Sequence, residues 1–367
     1  EILPSDWSSD VCSSDLKKLL VVLLALAVLM TALPVLAAGE LVGVAMPTNS
    51  LQRWNQDGQN MKAQLEAAGY EVILEYANND VAAQISQIEN MLLKDVQVLV
   101  IASIDGGALG EVLRTAHDNN VPVIAYDRLI TGTEFVDYYT SFDNYRVGAF
   151  QGNYIVDALD LENADGPFNI EYFGGSPDDN NAHLFYQGAI DVLQPFIDSG
   201  KLVNPSGQID FETVAILGWG SDDAQARMDN LINSYYADGT ALDVVLSPND
   251  SLAIGIVNSL VAAGFTKEKW PVLTGQDCDI PNVINIVKGL QSMSVFKDTR
   301  TLAERTVTMV DQILAGKEVE VNNTEDYDNG VKVVPSYLCD PVFADRDNYQ
   351  ELLIDSGYYT EDQIKAE

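Results

Sequence analysis

The sequence predicts an α/β protein of two doubly wound, parallel-sheet lobes joined by three hinge crossovers. Short apolar strands alternate with amphipathic helices, the alternation restarts midway, and one late helix falls outside the second series. Repeated strand–helix units form parallel sheets with right-handed crossovers. The 367 residues are enough for two domains of ordinary size.

The first strand–helix series spans residues 41–126. Residues 96–101 form a continuous apolar run, as expected for a strand that is covered on both faces. Gly69 is suited to end the first helix and Asp80 to cap the second. We predict strands at residues 41–46, 72–74, 96–101 and 121–126, and helices at 51–68, 81–94 and 107–119.

The second series begins after Asp143 and follows a similar plan, although the two series share no visible sequence repeat. Apolar residues at helical spacing alternate again with short apolar runs. We predict strands at residues 168–173, 214–217, 244–246, 271–274 and 293–296, and helices at 145–159, 181–197, 222–236, 251–263 and 281–289.

A helix at residues 300–314 and a strand at 331–334 follow the completed second series. The economical explanation is that the chain returns to the first lobe and then crosses again, so that several strands form a hinge. Crossovers are expected near residues 141–143, 296–297 and 331–335. The predicted N-terminal lobe is 39–142 plus 297–330, and the C-terminal lobe is 143–296 plus 331–367.

The first 38 residues are set apart from this fold prediction. Residues 1–16 contain a stretch that reads like a translated sequencing-library adapter; a natural polar leader is the alternative. Residues 17–38 combine two lysines, an apolar run and a small-residue cleavage site, which predicts a signal peptide and a periplasmic or secreted protein. The apolar run is short and interrupted, so a retained membrane anchor is the weaker alternative.

Charge and cysteine content exclude several function classes. The formal net charge is -35, which disfavours binding to nucleic acid or to anionic membrane surfaces. The sequence shows no metal-ligand spacing, and we expect neither a metal nor a cofactor. We expect Cys278 and Cys339 to be two separate buried thiols, although an oxidising compartment would permit one disulfide bond.

Polar residues follow nearly every predicted strand. In doubly wound sheets, ligands bind outside the carboxyl ends of the strands. The side chains there are mostly planar Asp, Asn, Gln and Arg groups, which can bridge neighbouring hydroxyls, and two tryptophans accompany them. A pyranose has apolar C–H faces and a rim of hydroxyls, so this set matches a sugar ring.

Each of these features has a structural alternative. For Asn180 or Asn181 the alternative is a helix cap, for Gly174-Gly175 it is a turn, and for Trp219 it is a core position. For Asp127 and Arg128, the alternative to a binding role is an ion pair exposed to solvent. The recurrence of planar polar groups at the strand ends supports a binding site more than any one residue does.

Several motifs resemble periplasmic monosaccharide-binding proteins of sugar ABC transporters, which share the type I periplasmic binding protein fold. The likeness covers the chain after the signal peptide and is nearest to the multiple-sugar-binding and xylose-binding members. The matching segments are residues 86–91, 98–105, 124–128, 141–144, 174–182, 226–230, 275–277 and 330–337.

The resemblance implies capture of an aldose without chemical turnover and its delivery to a membrane permease. By position, the implied ligand-binding residues are Arg53, Trp54, Asp127, Arg128, Asp179, Asn181, Trp219, Asn249, Asp277 and Lys297. Asp250 is an alternative to Asn249, and the segment around Trp219 departs from the family pattern. The resemblance also implies a monomer.

Three rival functions make different demands on the sequence. A glycosidase needs an acid and a nucleophile, which no spacing singles out. A sugar-responsive repressor needs a basic helix-turn-helix where the signal peptide lies, and the chain is strongly acidic. A receptor for a sugar or a furanose signal that docks on a chemoreceptor or sensor kinase is the remaining alternative.

Overall fold

The computed structural model describes residues 39–365, which form two α/β lobes. The expectations for residues 1–16 and 17–38, an adapter-derived segment and a signal peptide, lie outside these described residues. Within the described range, the structure contains no helix that is both long and apolar enough to cross a membrane.

The first lobe is built on a parallel sheet. Its strands are β1 (Leu41–Met46), β2 (Glu71–Tyr76), β3 (Val98–Ile101), β4 (Val123–Tyr126), β5 (Tyr138–Phe142) and β11 (Ser336–Cys339). They lie in the order β11-β5-β4-β3-β1-β2. Its helices are α1 (Gln52–Ala68), α2 (Val81–Leu92), α3 (Gly110–Asp118) and α10 (Thr299–Leu314).

Both faces of this first sheet are buried, as its continuous apolar strands predicted. Val98 and Val100 of β3 pack in one core with residues of α1 and α10. Leu99 and Ile101 of the same strand pack in the opposite core with residues of α2 and α3. Helix α10 therefore packs against the first sheet, although it follows the second strand–helix series in the chain.

The second lobe has a smaller parallel sheet and an added antiparallel pair. Its strands are β6 (Phe168–Tyr172), β7 (Leu202–Val203), β8 (Val244–Leu246), β9 (Val272–Leu273), β10 (Met293–Phe296) and β12 (Val342–Asp345). Its helices are α4 (Asn144–Ala158), α5 (Asn180–Asp198), α6 (Phe211–Val214), α7 (Ser221–Leu231), α8 (Asp250–Ala262), α9 (Ile280–Lys288) and α11 (Glu361–Ile364). The parallel order is β7-β6-β8-β9, and β10 pairs with β12 in the antiparallel sense.

Helices α4 and α5 pack closely because glycines lie where they cross. A Cβ on Gly148 would lie 1.9 Å from the backbone oxygen of Phe185, and one on Gly188 would lie 2.1 Å from that of Tyr145. Real side chains do not tolerate such distances. This tight contact fixes the N-terminal end of α5, which carries two of the predicted site residues.

Two predicted strands are wrong. Residues 214–217 were expected to be a strand, but Val214 ends α6 and Leu217 begins a 3-10 turn that runs to Trp219. Directly after the segment, Gly218 and Trp219 have positive φ angles of 67° and 59°, so the chain turns here instead of extending. Only Ala215 in this segment makes a bridge, to Gly174.

The predicted strand at residues 331–334 lies instead at β11, five residues later. Val331 and Val333 are exposed, and Asp328 bridges Val333 across a turn, so the alternating valines mark a surface turn. Because β11 pairs with β5, the last crossing between the sheets lies between Cys339 and Val342 rather than near residues 331–335. Strand β5 was also missed by the sequence analysis.

Candidate functional site

A polar cavity lies between the lobes at the carboxyl ends of the strands, the position that the fold favours for a ligand. All ten residues predicted from the sequence line this cavity: Arg53, Trp54, Asp127, Arg128, Asp179, Asn181, Trp219, Asn249, Asp277 and Lys297. The structure thus brings together residues that are spread over more than two hundred positions of the chain.

Arg53 is the central cation of the cavity. It lies in the first turn of α1, is buried, and donates from Nη2 to Asp127 at 2.8 Å and from Nη1 to Asp277 at 2.9 Å. Its Nε donates to Asp57, one turn further along the helix. Asp127 and Asp57 belong to the first lobe and Asp277 to the second, so this guanidinium joins the lobes.

Lys297 adds a second cation at the same place. It follows β10 at one of the crossings between the lobes, and its Nζ lies 3.6 Å from Asp127 and 3.5 Å from Asp277. The side chain is 3% exposed. Two buried cations therefore face two buried carboxylates, and each charge has an opposite partner, as burial requires.

Arg128 and Asp179 form another contact between the lobes. The Nε of Arg128 lies 2.9 Å from Oδ2 of Asp179, but its N–H is not aimed at that oxygen, so the contact is an ion pair rather than a hydrogen bond. Arg128 also donates to the backbone oxygen of Ser103 at 3.1 Å. The alternative in which Asp127 and Arg128 form a solvated pair is wrong, because both are buried and bind other partners.

The Asn181 side chain, on the second lobe, forms hydrogen bonds to the first lobe. Asp179 caps α5 by accepting from the Asn181 backbone, so capping does not occupy the Asn181 side chain. That side chain donates to the backbone oxygen of Asp127 at 2.7 Å and accepts from Asn144 at 2.9 Å and Tyr139 at 3.2 Å. It fixes the backbone that presents the Asp127 carboxylate.

Two indole rings line opposite parts of the cavity. The Trp54 ring has the Arg128 guanidinium 5.0 Å from its centroid, a cation–π distance. The Trp219 ring covers Gly175, where a Cβ would lie 2.0 Å from the ring. Gly175 is therefore needed to leave room for the indole and is not merely a turn residue. Trp219 packs in the adjacent core and also lines the cavity.

The structure separates the roles of Asn249 and Asp250. Asn249 caps α8 by accepting from the Leu252 backbone at 3.1 Å and also lines the cavity. Asp250 is fully buried and accepts from Gln291 at 2.8 Å and from the Asp279 backbone at 2.9 Å. It supports the loop after β9 from behind.

Three site residues adopt a left-handed backbone. Asp127, Trp219 and Asp277 have φ angles of 59°, 59° and 96°, which are costly for residues other than glycine. Such strain is held by the surrounding contacts, here the hydrogen bonds and ion pairs just described. It aims these side chains into the cavity instead of continuing the preceding chain direction.

Burial and charge shift several carboxyl pKa values. Burial would raise the pKa of Asp127, but Lys297, Arg53 and Arg128 outweigh burial and lower it. Burial raises the pKa of Asp179 despite the opposing effect of Arg128. Asp127 therefore carries its charge firmly and serves as a permanent acceptor.

Beneath Arg53, burial raises the pKa of Asp57 from 3.8 to about 6, against the lowering effect of the guanidinium. The hydroxyl of Tyr126 donates to this carboxylate. Neither residue was predicted, because Asp57 lies on the buried side of an ordinary amphipathic helix. Its spacing of one turn from Arg53 is the signal that could have found it.

The sequence analysis also missed some residues of the cavity wall. Gln276 and Asp279 flank the predicted Asp277, and Phe185 lies one turn beyond Asn181 on α5. Among the described residues, Gln276 Oε1 and Trp219 Nε1 are buried without a hydrogen-bond partner. Buried polar atoms normally have partners, so these two are available to a ligand.

Cys278 and Cys339 are both buried free thiols. The prediction that they do not pair with each other is confirmed. Cys278 follows Asp277 in the loop after β9, and burial raises its thiol pKa. Cys339 ends β11 in the first lobe. The two thiols pack in separate hydrophobic clusters, one in each lobe.

Residues 42–318 match a family model described as a periplasmic binding protein domain. The chain belongs to the periplasmic binding protein family. It is 53% identical over 344 residues, 93% of this chain and 97% of the relative, to the multiple sugar-binding periplasmic receptor ChvE of Rhizobium radiobacter. It is 35% identical to a D-xylose-binding periplasmic protein of Haemophilus influenzae, over 88% of this chain and 91% of the relative.

A solved family member has a similar structure. It is an ABC transporter solute-binding protein from Clostridium phytofermentans with bound β-D-glucose. The identity is 61% and the TM-score 0.87, with 89% of this chain and all of the other covered. These similarities confirm the resemblance and the fold class that the sequence predicted.

Stability of this binding protein should depend on Asp279. Burial, aided by the nearby Asp277, raises the Asp279 pKa from 3.8 to about 7, so its contribution to stability is lost as the pH rises through that value. Since Asn resembles the protonated acid, Asp279→Asn should be more stable than wild type at pH 8 by up to about 4 kcal/mol and equal to it near pH 4. Urea unfolding at both pH values measures this.

The exposed Asp118 provides a matched control, since a substitution of a surface side chain should change stability by less than about 0.5 kcal/mol. The expectation fails if Asp279→Asn and wild type keep the same difference in free energy of unfolding at pH 8 and at pH 4.

Proposed function

We propose that this protein captures an aldose monosaccharide, such as glucose, galactose, xylose or arabinose, between its lobes and delivers it to an ABC transporter. The observation that carries the proposal is the convergence of buried planar polar side chains and two indoles, from both lobes, on one cavity. The family member that binds β-D-glucose, at 61% identity, supports it.

The chemistry of the cavity suits a neutral polyhydroxylated ring. Carboxylate and amide oxygens accept from sugar hydroxyls, while guanidinium, ammonium and amide N–H groups donate to them. The indoles can pack on the C–H faces of a pyranose. The proposed sugar-binding residues are Arg53, Trp54, Asp127, Arg128, Asp179, Asn181, Trp219, Asn249, Asp277 and Lys297.

Binding couples to closure of the lobes. Asp127 and Arg53 reach the cavity from the first lobe, and Asp179 and Asp277 reach it from the second. A sugar that contacts both sides stabilises the closed arrangement by its extra affinity for that state. Following the sheet pairings, we propose an N-terminal lobe of residues 39–142 plus 297–339 and a C-terminal lobe of residues 143–296 plus 340–365.

We further propose where the protein acts, in which oligomeric state and with which partner. The protein acts outside the cytoplasm after loss of the predicted signal peptide at residues 17–38, and it acts as a monomer without chemical turnover. The loaded form docks on the membrane permease of a sugar ABC transporter. Docking on a chemoreceptor or sensor kinase is the alternative route; the periplasmic relatives support the location.

A thermal-shift panel tests the proposal. Glucose, galactose, xylose, arabinose, ribose and fucose are each added to the purified protein, with the open-chain polyol mannitol as the control. A sugar present at 100 times its Kd should stabilise the protein by about 2.7 kcal/mol, which raises the melting temperature. Mannitol has no ring to stack on an indole and should cause no shift. The proposal fails if every aldose behaves like mannitol.

A further inference from the structure

The C-terminal segment makes a contact between the lobes that lies outside the cavity wall. Tyr359 is 3% exposed, and its ring packs in a second-lobe cluster with Cys278, Val283 and Leu353. Its backbone N–H donates to the Leu353 oxygen at 2.7 Å. The ring is therefore anchored in the second lobe, and only its hydroxyl reaches the first lobe.

That hydroxyl has three partners. It accepts from the side-chain amides of Gln52 at 2.7 Å and Gln56 at 3.1 Å, both on α1 of the first lobe. It donates to the backbone oxygen of Cys278 at 2.9 Å, in the second lobe. Gln52 also accepts from the Ile280 backbone at 3.2 Å, so the two lobes are joined twice at this point.

The partners of Tyr359 adjoin the main cations and anions of the site. Gln52 immediately precedes Arg53, and Cys278 immediately follows Asp277. The Arg53–Asp277 ion pair spans the cavity side of these two segments, and the Tyr359 hydroxyl spans the side away from the cavity. Separation of the lobes at Arg53 and Asp277 would also break the bonds from Gln52 and Gln56.

We propose that Tyr359 is a closure latch: its hydroxyl stabilises the closed arrangement of the lobes without touching the bound sugar. Tyr359 does not line the cavity described above, so its effect passes through the Arg53 and Asp277 segments. Apparent affinity scales with the fraction of protein in the binding-competent state. Loss of the latch therefore weakens sugar binding, chiefly by speeding reopening and release.

The test is Tyr359→Phe, which keeps the ring and removes the hydroxyl. It should weaken binding of D-glucose, or of the best aldose from the panel, roughly tenfold, because two half-buried amides and one buried carbonyl lose their shared partner. Stopped-flow fluorescence of the cavity tryptophans should show that most of the change is in the dissociation rate. Tyr154→Phe is the matched control, because Tyr154 donates to the Ser292 oxygen at 3.1 Å within the second lobe.

Two further measurements separate the latch from general stability and from the proposed function on which it rests. Gln52→Ala removes the shorter of the two first-lobe bonds to the hydroxyl, so its effect and that of Tyr359→Phe should sum to less than full additivity; the bond from Ile280 to Gln52 accounts for the remainder. In sugar-free protein, small-angle X-ray scattering should give a larger radius of gyration for Tyr359→Phe than for wild type. This scattering comparison needs no sugar, so it tests the latch even if no aldose binds. Failure of every aldose to bind would contradict only the proposed function.

Any one of three results would overturn the latch proposal. The first is a sugar-free Tyr359→Phe variant whose scattering matches that of wild type. The second is a Tyr359→Phe variant that binds and releases sugar at wild-type rates, and the third is an equal loss of affinity in Tyr154→Phe.

Discussion

Arg53→Ala is expected to lower the free energy of unfolding by about 3–5 kcal/mol and to abolish measurable sugar binding. The substitution leaves Asp57, Asp127 and Asp277 buried around a missing cation. Within the described residues, Lys297 lies 3.5–3.6 Å from two of these carboxylates, Asp127 and Asp277, and forms no ion pair with Asp57. Urea unfolding and calorimetric titration measure the two effects.

Two further variants define the cause of that loss. Arg53→Lys keeps the charge but not the planar fork, so it should recover part of the stability and little of the binding. Arg146→Ala breaks an ion pair with Asp340 that is largely exposed and should cost less than about 1 kcal/mol. A loss at Arg53 no larger than that at Arg146 would contradict the central role of Arg53.

Trp219→Ala is expected to weaken aldose binding by about 1.5–3 kcal/mol, roughly tenfold to more than a hundredfold. The indole lines the cavity beside Gly175 and is 6% exposed, so truncating it removes a large apolar side chain from the cavity wall. Its Nε1–H, unpartnered among the described residues, can also donate to a hydroxyl. Calorimetric titration of the folded variant with the best aldose measures the loss.

Trp270 supplies the control for this indole. It is half-buried in the second lobe and donates to the Leu290 oxygen at 2.9 Å, away from the cavity. Trp270→Ala should reduce stability with little change in affinity. If the two tryptophan variants bind sugar equally well, Trp219 does not stack on the ligand.

The fold was predictable where local pattern and tertiary structure agree. Strand β3 is a continuous apolar run because helices cover both of its faces, and such burial leaves a clear trace in sequence. The valines at 331 and 333 alternate like a strand but sit in an exposed turn, where no local signal reveals the absence of a partner strand. Pairing of β11 with β5 is a long-range contact.

The site was predictable because strand ends converge in this fold, so residues after different strands meet. Asp127 follows β4 directly, and Asp277 lies four residues after the end of β9, so both carry that signal. The choice between Asn249 and Asp250 required the structure, because the first turn of a helix decides which neighbour faces the cavity. Asp57 and Tyr359 act from behind the site, and polar residues in such positions look like ordinary helix or tail residues.

The most direct test of the whole account is calorimetric titration of the purified protein with D-glucose, galactose and xylose, alongside Asp127→Ala. At least one aldose should bind wild type with a stoichiometry near one, and the variant should bind it about 1–3 kcal/mol more weakly, since a charged acceptor is lost. The account is contradicted if no aldose gives binding heat, or if the variant binds the same sugar as tightly as wild type.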